Sequence, residues 1–369
     1  MIDLTKKAKA AIFTGPNKPF EIREFPLTAP EKGMVAVKII ASGVCGTDMH
    51  FMHGRLATAV PVVLGHEFIG KVEAINDIDA KEYNIHEGDT VIIDIACPCG
   101  ECVLCHEGDD ANCVHMGVTN GGNPNNAPHF HGGFGEYNYA PVKNLVKVPD
   151  NLDGVTTAVF ACAGPTALHA ISLGEKAGNN FSKASVAVVQ GLGPVGMFAC
   201  MYFASLGIKN VIAIAFSASK ERKKLAYDLG VTKIFTLDST STEDITKNIM
   251  DMTNGLGADV VFEGSGAHDA VPQGMNWLRN RGVYLIPGQY SSRGPVEIHP
   301  EKITFGALQL IGSSQYSLCD VANYIKFLEN NPKLLPIIRA TASTYHVSDI
   351  NKAFEELQER KAVKALLVE

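Results

Sequence analysis

The feature that most constrains the fold is a regular alternation of apolar strands and helical segments that begins near residue 185. Alternating or continuous apolar runs predict the strands, and apolar spacings of three and four residues predict the helices between them. The predicted strands are 185–190, 210–215, 233–236, 258–263 and 282–286, and the predicted helices are 195–206, 220–229, 243–253 and 267–278. Such an alternation forms right-handed β–α–β units, so we expect a parallel sheet covered by helices on both faces.

The first part of the sequence has a different pattern, with short strands, frequent glycine and proline, and no sustained helical period. The strands predicted there are 10–13, 20–24, 34–41, 69–75, 90–95, 136–140 and 145–148. This pattern is typical of a barrel-like antiparallel domain. A helix is predicted at 158–173, and the end of the sequence adds helices at 321–329 and 349–360 and a strand near 362–368.

Composition excludes several classes of function. The sequence has 369 residues, 46% apolar and 19% charged, which is typical of a globular chain with room for two domains. A net charge of −7, with no block of like charge, argues against nucleic acid as a general partner. The longest apolar run, 186–204, is interrupted by glycine and proline and lacks basic flanks, so it does not predict a membrane span. The N-terminal segment has no apolar core of a signal peptide, so we expect a cytoplasmic protein.

Four closely spaced cysteines fit a structural zinc site, because a tetrahedral zinc needs four thiolates and close spacing supplies them locally. They are Cys99, Cys102, Cys105 and Cys113. We therefore predict a zinc-binding lobe at about residues 97–113. Unrelated reduced cysteines or a nucleic-acid-binding zinc knuckle are the alternatives, and the acidic residues in the segment disfavour the knuckle. In a reducing compartment, clustered cysteine indicates metal more often than disulfide.

A second set of metal-ligand residues is spread along the sequence. Cys45 and His66 are each, taken alone, more often structural than functional. A catalytic zinc needs three protein ligands and one open position, and these two residues can supply two of the three. Cys162, near the predicted domain junction, is the candidate for the third. Cys200 and Cys319 are predicted to be packing residues.

Three polar side chains follow Cys45 closely. The hydroxyl of Thr47, next to a metal, can take a proton from a substrate, and His50 can pass that proton to solvent. The carboxylate of Asp48 can hold the ring N–H of a ligand histidine. The alternative interpretation is a polar turn whose side chains satisfy one another, which is what this stretch indicates when it is considered alone.

A glycine-rich turn directly follows the apolar strand 186–190 and opens a helix. Its residues are Gly191, Gly193, Pro194, Val195 and Gly196, with Leu192 between the first two glycines. Glycine permits the tight turn and the close approach of a pyrophosphate, whose negative charge the helix N-terminus favours. The strand–turn–helix context therefore predicts a dinucleotide-binding site.

The end of the next strand bears on which dinucleotide is bound. An NAD site would place Asp or Glu there to bind the ribose hydroxyls. This sequence has Ser217, Lys220 and Arg222 instead, which would accommodate a 2′-phosphate. We therefore predict NADP in preference to NAD. The alternative is that the two basic residues are ordinary solvated helix residues and that either cofactor is used.

Together these motifs resemble the zinc-dependent medium-chain alcohol dehydrogenase family over nearly the full length of the sequence. The likeness is carried by residues 43–50, 65–67, 132–137 and 191–196 and by the four-cysteine segment. The resemblance implies an α/β protein with a GroES-like catalytic domain at 1–163 and 314–369. A doubly wound Rossmann domain at 164–313 would interrupt that domain and bind NAD(P).

The resemblance also implies roles for individual residues. Cys45, His66 and Cys162 match zinc ligands, and Glu67 matches a glutamate beside the zinc that in some relatives reaches the metal. Thr47 and His50 match a proton relay. The residues in loops that lie along the dinucleotide are Ser265, Pro287 and Gly288. Members of the family form dimers or tetramers, so a homo-oligomer is expected.

The expected function is reversible hydride transfer between an alcohol, secondary or a polyol, and NAD(P), with two zinc ions per chain. A zinc-free NADPH-dependent reductase of activated double bonds is one alternative, although it would not use the three metal-ligand residues as a set. A non-catalytic binding protein is the other. The long loop 120–131 prevents transfer of a substrate preference, and His129 and His131 either face the cleft or decorate that loop.

Overall fold

The structure is a computed structural model that describes residues 2–289 and 294–369. The chain divides into two compact units. Unit 1 comprises Met1–Cys162 and Tyr316–Glu369, and unit 2 comprises Ala163–Gln315. Unit 1 is therefore assembled from both ends of the sequence, and unit 2 is inserted into it.

The N-terminal part of unit 1 is rich in strands. The strands are β1 (Lys7–Phe13), β2 (Glu21–Pro26), β3 (Met34–Val44), β4 (Val62–Val63), β5 (Phe68–Ile75), β6 (Thr90–Ile93), β7 (Ala96–Cys97), β8 (Gly117–Val118), β9 (Tyr137–Pro141) and β10 (Leu145–Lys147). The helices are α1 (Gly46–Met52), α2 (Asp77–Tyr83), α3 (Val103–His106) and α4 (Gly154–Ala158).

Unit 2 alternates strands and helices. The strands are β11 (Val186–Gln190), β12 (Asn210–Ala215), β13 (Lys233–Thr236), β14 (Ala258–Glu263), β15 (Leu278–Ile286) and β16 (Gln309–Gly312). The helices are α5 (Ala163–Lys176), α6 (Pro194–Ser205), α7 (Lys220–Asp228), α8 (Thr242–Met252), α9 (Ala270–Trp277) and α10 (Pro300–Gly306). The chain then returns to unit 1 with α11 (Leu318–Asn330), α12 (Leu335–Ala340), β17 (Ala342–His346), α13 (Ile350–Gln358) and β18 (Lys364–Val368).

The main sheet of unit 1 joins strands that are far apart in sequence. Its order is β10–β6–β5–β3–β18–β17, and β9 also pairs with β3. Strand β18 is antiparallel to β3 and parallel to β17, so a strand from the C-terminal segment lies between β3 and the edge strand β17. A buried aromatic cluster that includes Phe13, Phe20, Phe134 and Phe354 packs in this unit. Residues 43–50 thus span the end of the central strand β3 and the start of α1.

The sheet of unit 2 is parallel, with the order β13–β12–β11–β14–β15–β16. The strand order reverses between β11 and β14, so right-handed crossovers place helices on both faces of the sheet. Loops that leave the carboxyl ends of the two strands flank a crevice, which is where open sheets of this kind bind ligands. The predicted α/β fold class is confirmed by both sheets.

Several element bounds differ from the prediction. The helix predicted at 158–173 is present as α5, but its bounds are wrong, because the structure ends α4 at Ala158 and starts α5 at Ala163. The short helices α1, α2, α3, α10 and α12 lie where no helix was predicted, because four to seven residues are too few to show a sustained period. Strand β15 begins at Leu278 rather than at 282. In the described residues, no helix is both long enough and apolar enough to cross a membrane.

Candidate active site

Three metal-ligand side chains converge in unit 1. Cys45 follows β3, His66 precedes β5, and Cys162 lies between α4 and α5. One ligand atom from each lies within 4.8 Å of the other two. Two sulfurs and one imidazole nitrogen form a donor set that suits zinc and leaves a fourth tetrahedral position open. The residues present therefore fit a catalytic zinc ion, and we call them the Cys–His–Cys group.

Asp48 connects two members of this group. Cys45 is the N-cap of α1, and its backbone N–H donates to Oδ2 of Asp48 at 2.9 Å, which forms half of a capping box. The other carboxylate oxygen, Oδ1, faces Nδ1 of His66 at 3.4 Å. Asp48 is buried, with 1% of its surface exposed. One carboxylate thus fixes the start of the helix and lies beside the histidine ring.

The charges in the group favour metal binding at Cys45. A hydrogen bond from Cys162, with His66 and Lys364 nearby, holds the pKa of Cys45 well below its usual value. The same hydrogen bond, together with burial, raises the pKa of Cys162. Although burial opposes it, Asp48 and Cys45 raise the pKa of His66. Because zinc binds thiolate and neutral imidazole, metal uptake at this group would release protons.

Thr47 and His50 lie three residues apart on α1, so they project from the same side of the helix. The Thr47 hydroxyl oxygen is 3.9 Å from Sγ of Cys45. Both side chains are partly exposed, in contrast to Asp48 between them. This arrangement leads from the metal-ligand sulfur towards the surface of the helix.

Glu67 lies beside the Cys–His–Cys group but is not one of its members. One carboxylate oxygen, Oε1, accepts a hydrogen bond from Nζ of Lys364. Among the described residues, the other oxygen, Oε2, has no hydrogen-bond partner. Burial raises the pKa of Glu67 to about 7, and Lys364 opposes that rise. The predicted zinc-neighbouring glutamate therefore pairs with a buried lysine in this structure.

Asp94 and Tyr316 are two further buried ionisable residues in unit 1. Burial raises the pKa of Asp94 to about 7, and the charges of Asp110 and Asp320 add to this effect. Burial also raises the pKa of Tyr316, with Cys162 the next largest cause. The pKa values of Asp94 and Tyr316 are therefore both affected by the charges of the metal-ligand residues.

The four predicted lobe cysteines also converge. The Sγ–Sγ distances are 3.5 Å for Cys102–Cys105 and Cys99–Cys113, 3.9 Å for Cys102–Cys113 and 4.0 Å for Cys99–Cys105. A tetrahedral zinc with Zn–S bonds of about 2.3 Å separates its sulfurs by about 3.8 Å. The four thiols therefore fit a structural zinc, and we call residues 97–113 the four-cysteine lobe.

Backbone N–H groups support thiolates in the lobe. The N–H of Cys99 donates to Sγ of Cys113 at 3.2 Å, and the N–H of Glu101 donates to Sγ of Cys99 at 3.4 Å. Backbone donors lower the pKa of Cys102 to about 6. Burial and the neighbouring thiols raise the pKa of Cys105 to about 12. Local hydrogen bonds therefore stabilise the thiolate charge of the lobe, and among the described residues no side-chain ion pair involves its four cysteines.

The glycine turn of unit 2 has the close backbone contacts that its sequence predicts. Gly191 has a φ of 101°, and a Cβ on Gly196 would lie 2.0 Å from the carbonyl oxygen of Gly191. At Gly193, the N-cap of α6, a Cβ would meet no atom within 4 Å. Pro194 and Val195 form the first turn of α6. The turn is therefore closed on the side of the sheet and open at the helix N-terminus, where a pyrophosphate would be bound.

The three residues predicted to select the cofactor lie between β12 and α7 or at the start of α7. Nη1 of Arg222 donates to the carbonyl oxygen of Leu192 at 2.9 Å, so its guanidinium lies against the glycine turn. Ser217 is partly exposed and Lys220 is exposed. Ser219 caps α7 by accepting from the N–H of Arg222.

Ser265, Pro287 and Gly288 lie on loops that leave the adjacent strands β14 and β15. Glu263, which sequence analysis did not single out, joins the two loops. Its Oε1 accepts from the N–H and hydroxyl of Ser265, and its backbone carbonyl accepts from the N–H of Gly288. The sequence signal that could have identified Glu263 is an acidic residue at the end of an apolar strand of the predicted parallel sheet.

His129 and His131 lie in the loop between β8 and β9. The His129 ring stacks on Phe25 at a centroid distance of 5.0 Å, and its Nδ1 lies 2.9 Å from the carbonyl oxygen of Pro124. His131 is half-buried against Gly122, where a Cβ would lie 2.4 Å from the imidazole ring. His129 therefore holds the loop against β2.

The sequence matches two family descriptions. Residues 31–150 match the family described as Alcohol dehydrogenase GroES-like domain, and residues 194–330 match the family described as Zinc-binding dehydrogenase. The first match lies in unit 1. The second covers most of unit 2 and the start of the returning segment.

Individual relatives match over almost the whole chain. A sorbitol dehydrogenase of Halalkalibacterium halodurans is 31% identical over 353 residues, which is 94% of this chain and 95% of the relative. An alcohol dehydrogenase of Geobacillus stearothermophilus is 30% identical over 96% of each chain. The crystal structure of an alcohol dehydrogenase from Thermotoga maritima superposes with a TM-score of 0.88, at 28% identity, over 98% of this chain and 99% of that one. The chain therefore belongs to the zinc-dependent medium-chain alcohol dehydrogenase family.

Proposed function

We propose that this protein is a zinc-dependent, NAD(P)-linked dehydrogenase that interconverts an alcohol and its carbonyl compound. The observation that carries the proposal is the Cys–His–Cys group, which combines three partly buried metal ligands with an open fourth position. The glycine turn of unit 2 supports the same reaction, because a bound nicotinamide dinucleotide would supply the hydride acceptor.

The side chains around the metal position have separate roles in this proposal. Cys45, His66 and Cys162 would hold the ion, and zinc bound there would supply a Lewis acid to the substrate oxygen. Asp48, whose Oδ1 lies 3.4 Å from Nδ1 of His66, would orient the ring and leave Nε2 available as the metal ligand. The four-cysteine lobe would bind a second zinc that has no open position and serves stability.

The proton of the alcohol needs a route away from the metal. The hydroxyl of Thr47 lies 3.9 Å from the Cys45 sulfur. It is suited to accept the proton of the substrate while it donates its own hydroxyl proton to the next group of the relay. His50, one turn further along α1, is suited to pass that proton to solvent. The exposure of both residues is consistent with a route of this kind.

The cofactor is proposed to be NADP rather than NAD. Phe216, Ser217 and Ala218 follow β12 without an acidic side chain, so the ribose 2′ position would meet no carboxylate there. Arg222, held against the glycine turn, and Lys220 add positive charge in the same segment. A 2′-phosphate would be attracted to these two residues.

The substrate is proposed to be a small secondary alcohol or polyol, acted on in the cytoplasm by a homo-oligomer, a dimer or a tetramer. Support for a polyol comes from the relative named sorbitol dehydrogenase. A panel of alcohols and ketones with each cofactor, followed by absorbance of the reduced nicotinamide, tests substrate and cofactor together.

The decisive variant is Cys45→Ser, compared with the control Cys319→Ser at an exposed cysteine outside both metal groups. The wild type should contain two zinc ions per chain, and C45S about one. Because even the loss of a residue behind a metal ligand costs about 10- to 100-fold in activity, loss of a ligand should cost at least about 100-fold. C319S should keep both ions and full activity.

Metal analysis also tests the alternative reactions. A wild-type protein that holds zinc only in the lobe, yet reduces activated double bonds with NADPH, would be a zinc-free reductase. Full turnover by C45S would contradict the assignment of the catalytic metal. A protein that binds the dinucleotide but oxidises or reduces nothing in the panel would be a binding protein.

A further inference from the structure

Glu263 is a fully buried acidic residue that the proposed reaction does not use. It ends β14, and 0% of its surface is exposed. Strand β14 lies beside β11, at the point where the strand order of the sheet reverses. Its carboxylate therefore lies at the crevice where sheets of this kind bind dinucleotides.

One carboxylate oxygen organises the loop that follows β14. Oε1 accepts from the N–H of Ser265 at 2.8 Å, from the hydroxyl of Ser265 at 2.6 Å and from the N–H of Gly266 at 2.9 Å. Hydrogen bonds to an ionised acceptor are about twice as strong as those between neutral groups. The loop is thus wrapped around the carboxylate.

The other carboxylate oxygen reaches the loop that follows β15. Oε2 accepts from Nε2 of Gln289 at 3.2 Å, and the backbone carbonyl of Glu263 accepts from the N–H of Gly288 at 2.9 Å. A Cβ on Gly288 would lie 2.5 Å from Oε2, so only glycine fits this position without a shift. Glu263 therefore bridges two loops with its two oxygens.

The glycine turn packs against the same assembly. A Cβ on Gly191 would lie 3.0 Å from the carbonyl carbon of Gly264, and the N–H of Gly264 donates to the carbonyl oxygen of Gln190 at 2.9 Å. A Cβ on Gly266 would lie 2.7 Å from the carbonyl oxygen of Gly288. The three loops thus contact one another through backbone atoms, with the Glu263 carboxylate between the second and the third.

We propose that Glu263 is a positioning residue for the dinucleotide, which holds the loops after β11, β14 and β15 in the shape that accepts the cofactor. The inference rests on the proposed function, because it assumes that unit 2 binds NAD(P). It adds a residue that touches no cofactor atom and acts through Ser265, Gly288 and Gln289. Its substitution should weaken dinucleotide binding more than it lowers stability.

The main test is Glu263→Gln in the zinc-loaded, full-length protein, with binding of NADH and NADPH followed by nicotinamide fluorescence. Glutamine keeps the size and shape of the side chain, but its NH2 group cannot accept hydrogen bonds. That group must therefore face either the three donors at the Oε1 position or the Gln289 amide at the Oε2 position. Loss of hydrogen bonds to a charged group should raise the Kd by about 10- to 100-fold. Gln289→Ala, at an exposed residue, removes the bond from the third loop to Glu263 Oε2 and a second bond to the carbonyl oxygen of Ala267, and it leaves the three bonds at Oε1 in place. It should raise the Kd by roughly threefold.

The matched control is Asp259→Asn, near the opposite end of the same strand. Asp259 accepts from the N–H groups of Ser185 and Val186 and pairs with Arg279 at 2.7 Å. D259N should lower the melting temperature and leave the Kd within about twofold of wild type, because its contacts are on the amino side of the sheet.

The outcomes separate the two proposals. A wild-type protein that binds neither NADH nor NADPH would overturn the proposed function itself. If the wild type binds and both E263Q and Q289A bind equally well, the positioning role is wrong. It is also wrong if D259N weakens binding as much as E263Q does, because general destabilisation would then explain the loss. Should E263Q not fold, the Q289A titration decides alone.

Discussion

The two metal-ligand groups of unit 1 are built in opposite ways. The four-cysteine lobe takes all its ligands from one short segment, 97–113, and supports them with backbone N–H groups. The Cys–His–Cys group takes its ligands from three distant segments and adjoins the buried side chains Asp48, Glu67 and Lys364. The first group is closed and the second keeps one position open.

This difference in construction is the one expected between a metal site that stabilises the fold and a metal site that takes part in a reaction. A closed four-thiolate site needs only a local turn, and its surroundings can be exposed to water. An open site has to control charge around a reacting group, which requires ionisable residues in a water-poor environment. Three substitutions test this contrast, and they are taken from the largest expected effect on stability to the smallest.

The first substitution removes a ligand from the lobe. Cys102→Ser should reduce zinc from two ions per chain to one and unfold the lobe. Structural zinc contributes about 10–16 kcal/mol to the folding of isolated zinc-finger peptides, so we expect a loss above about 5 kcal/mol within this larger unit. Metal analysis and urea unfolding at a fixed concentration of free zinc measure the two effects.

Cys97→Ser is the control for this experiment, because Cys97 is the first residue of the lobe but does not belong to its ligand set. Its sulfur accepts a hydrogen bond from Asn144 at 3.1 Å. C97S should retain both ions and nearly full stability. A C102S protein that kept two zinc ions and wild-type stability would show that the lobe is not a zinc site.

The second substitution breaks the buried ion pair beside the open site. Lys364→Met leaves the carboxylate of Glu67 buried without its partner. Removing one member of a buried pair costs about 3–5 kcal/mol, and removing both is close to neutral. K364M should therefore be strongly destabilised in urea unfolding, and K364M combined with Glu67→Gln should recover most of the loss.

A second lysine–glutamate pair of the same unit supplies the comparison. Lys38 and Glu369 are paired at the surface, with 34% and 63% of their side chains exposed. Lys38→Met should cost less than about 1 kcal/mol, because exposed pairs contribute little. Equal losses in K364M and K38M would show that the Glu67–Lys364 pair is not energetically distinct.

The third substitution concerns Asp94, whose pKa is affected by charges in both groups, those of Asp110 in the lobe and His66 in the open site. Its pKa is raised from 3.8 to about 7 on folding. Between these two pKa values the folded state keeps a proton that the unfolded state has lost, so stability falls as the pH rises through this window. Above the pKa of Asp94 in the folded state, the free energy of unfolding stays lowered by the full amount.

Asp94→Asn removes this dependence while its side-chain oxygen can still accept from the N–H of Ala96, as Oδ1 does at 2.9 Å. The stability of D94N relative to wild type should therefore grow by about 2–3 kcal/mol between about pH 5 and pH 8. Urea unfolding of both proteins across this range gives the difference directly. A constant difference would mean that Asp94 titrates near its ordinary pKa.

The sequence predicted the strand–helix alternation of unit 2 from β11 to β15, because each of these strands is a short apolar run bounded by polar residues. It did not predict α10 and β16. It did not reveal the break between α4 and α5 that contains Cys162. Small and apolar residues continue through the break, so the period looks unbroken. Pro165, the third residue of α5, was the available signal, since proline is tolerated in the first turn of a helix.

Pairs of distant residues could not be predicted from the sequence in the same way. Lys364 and Glu67 are 297 positions apart, and nothing in either local pattern identifies the other. The available signal, which the sequence analysis did not use, was a lone lysine within the apolar strand β18, since a buried charge needs a partner. The three-loop role of Glu263 likewise depends on strand order, which periodicity does not specify.

The position of β18 beside β3 sets an order of events during synthesis. Leu366 pairs with Gly43, more than three hundred residues earlier in the chain. At about 5–20 residues per second, β18 is synthesised roughly 15 to 65 seconds after β3. Cys45, His66 and Cys162 all emerge before Lys364, so Glu67 is translated long before its counterion. The inserted segment Ala163–Gln315 can complete its own sheet in that interval, and the metal-binding unit closes last.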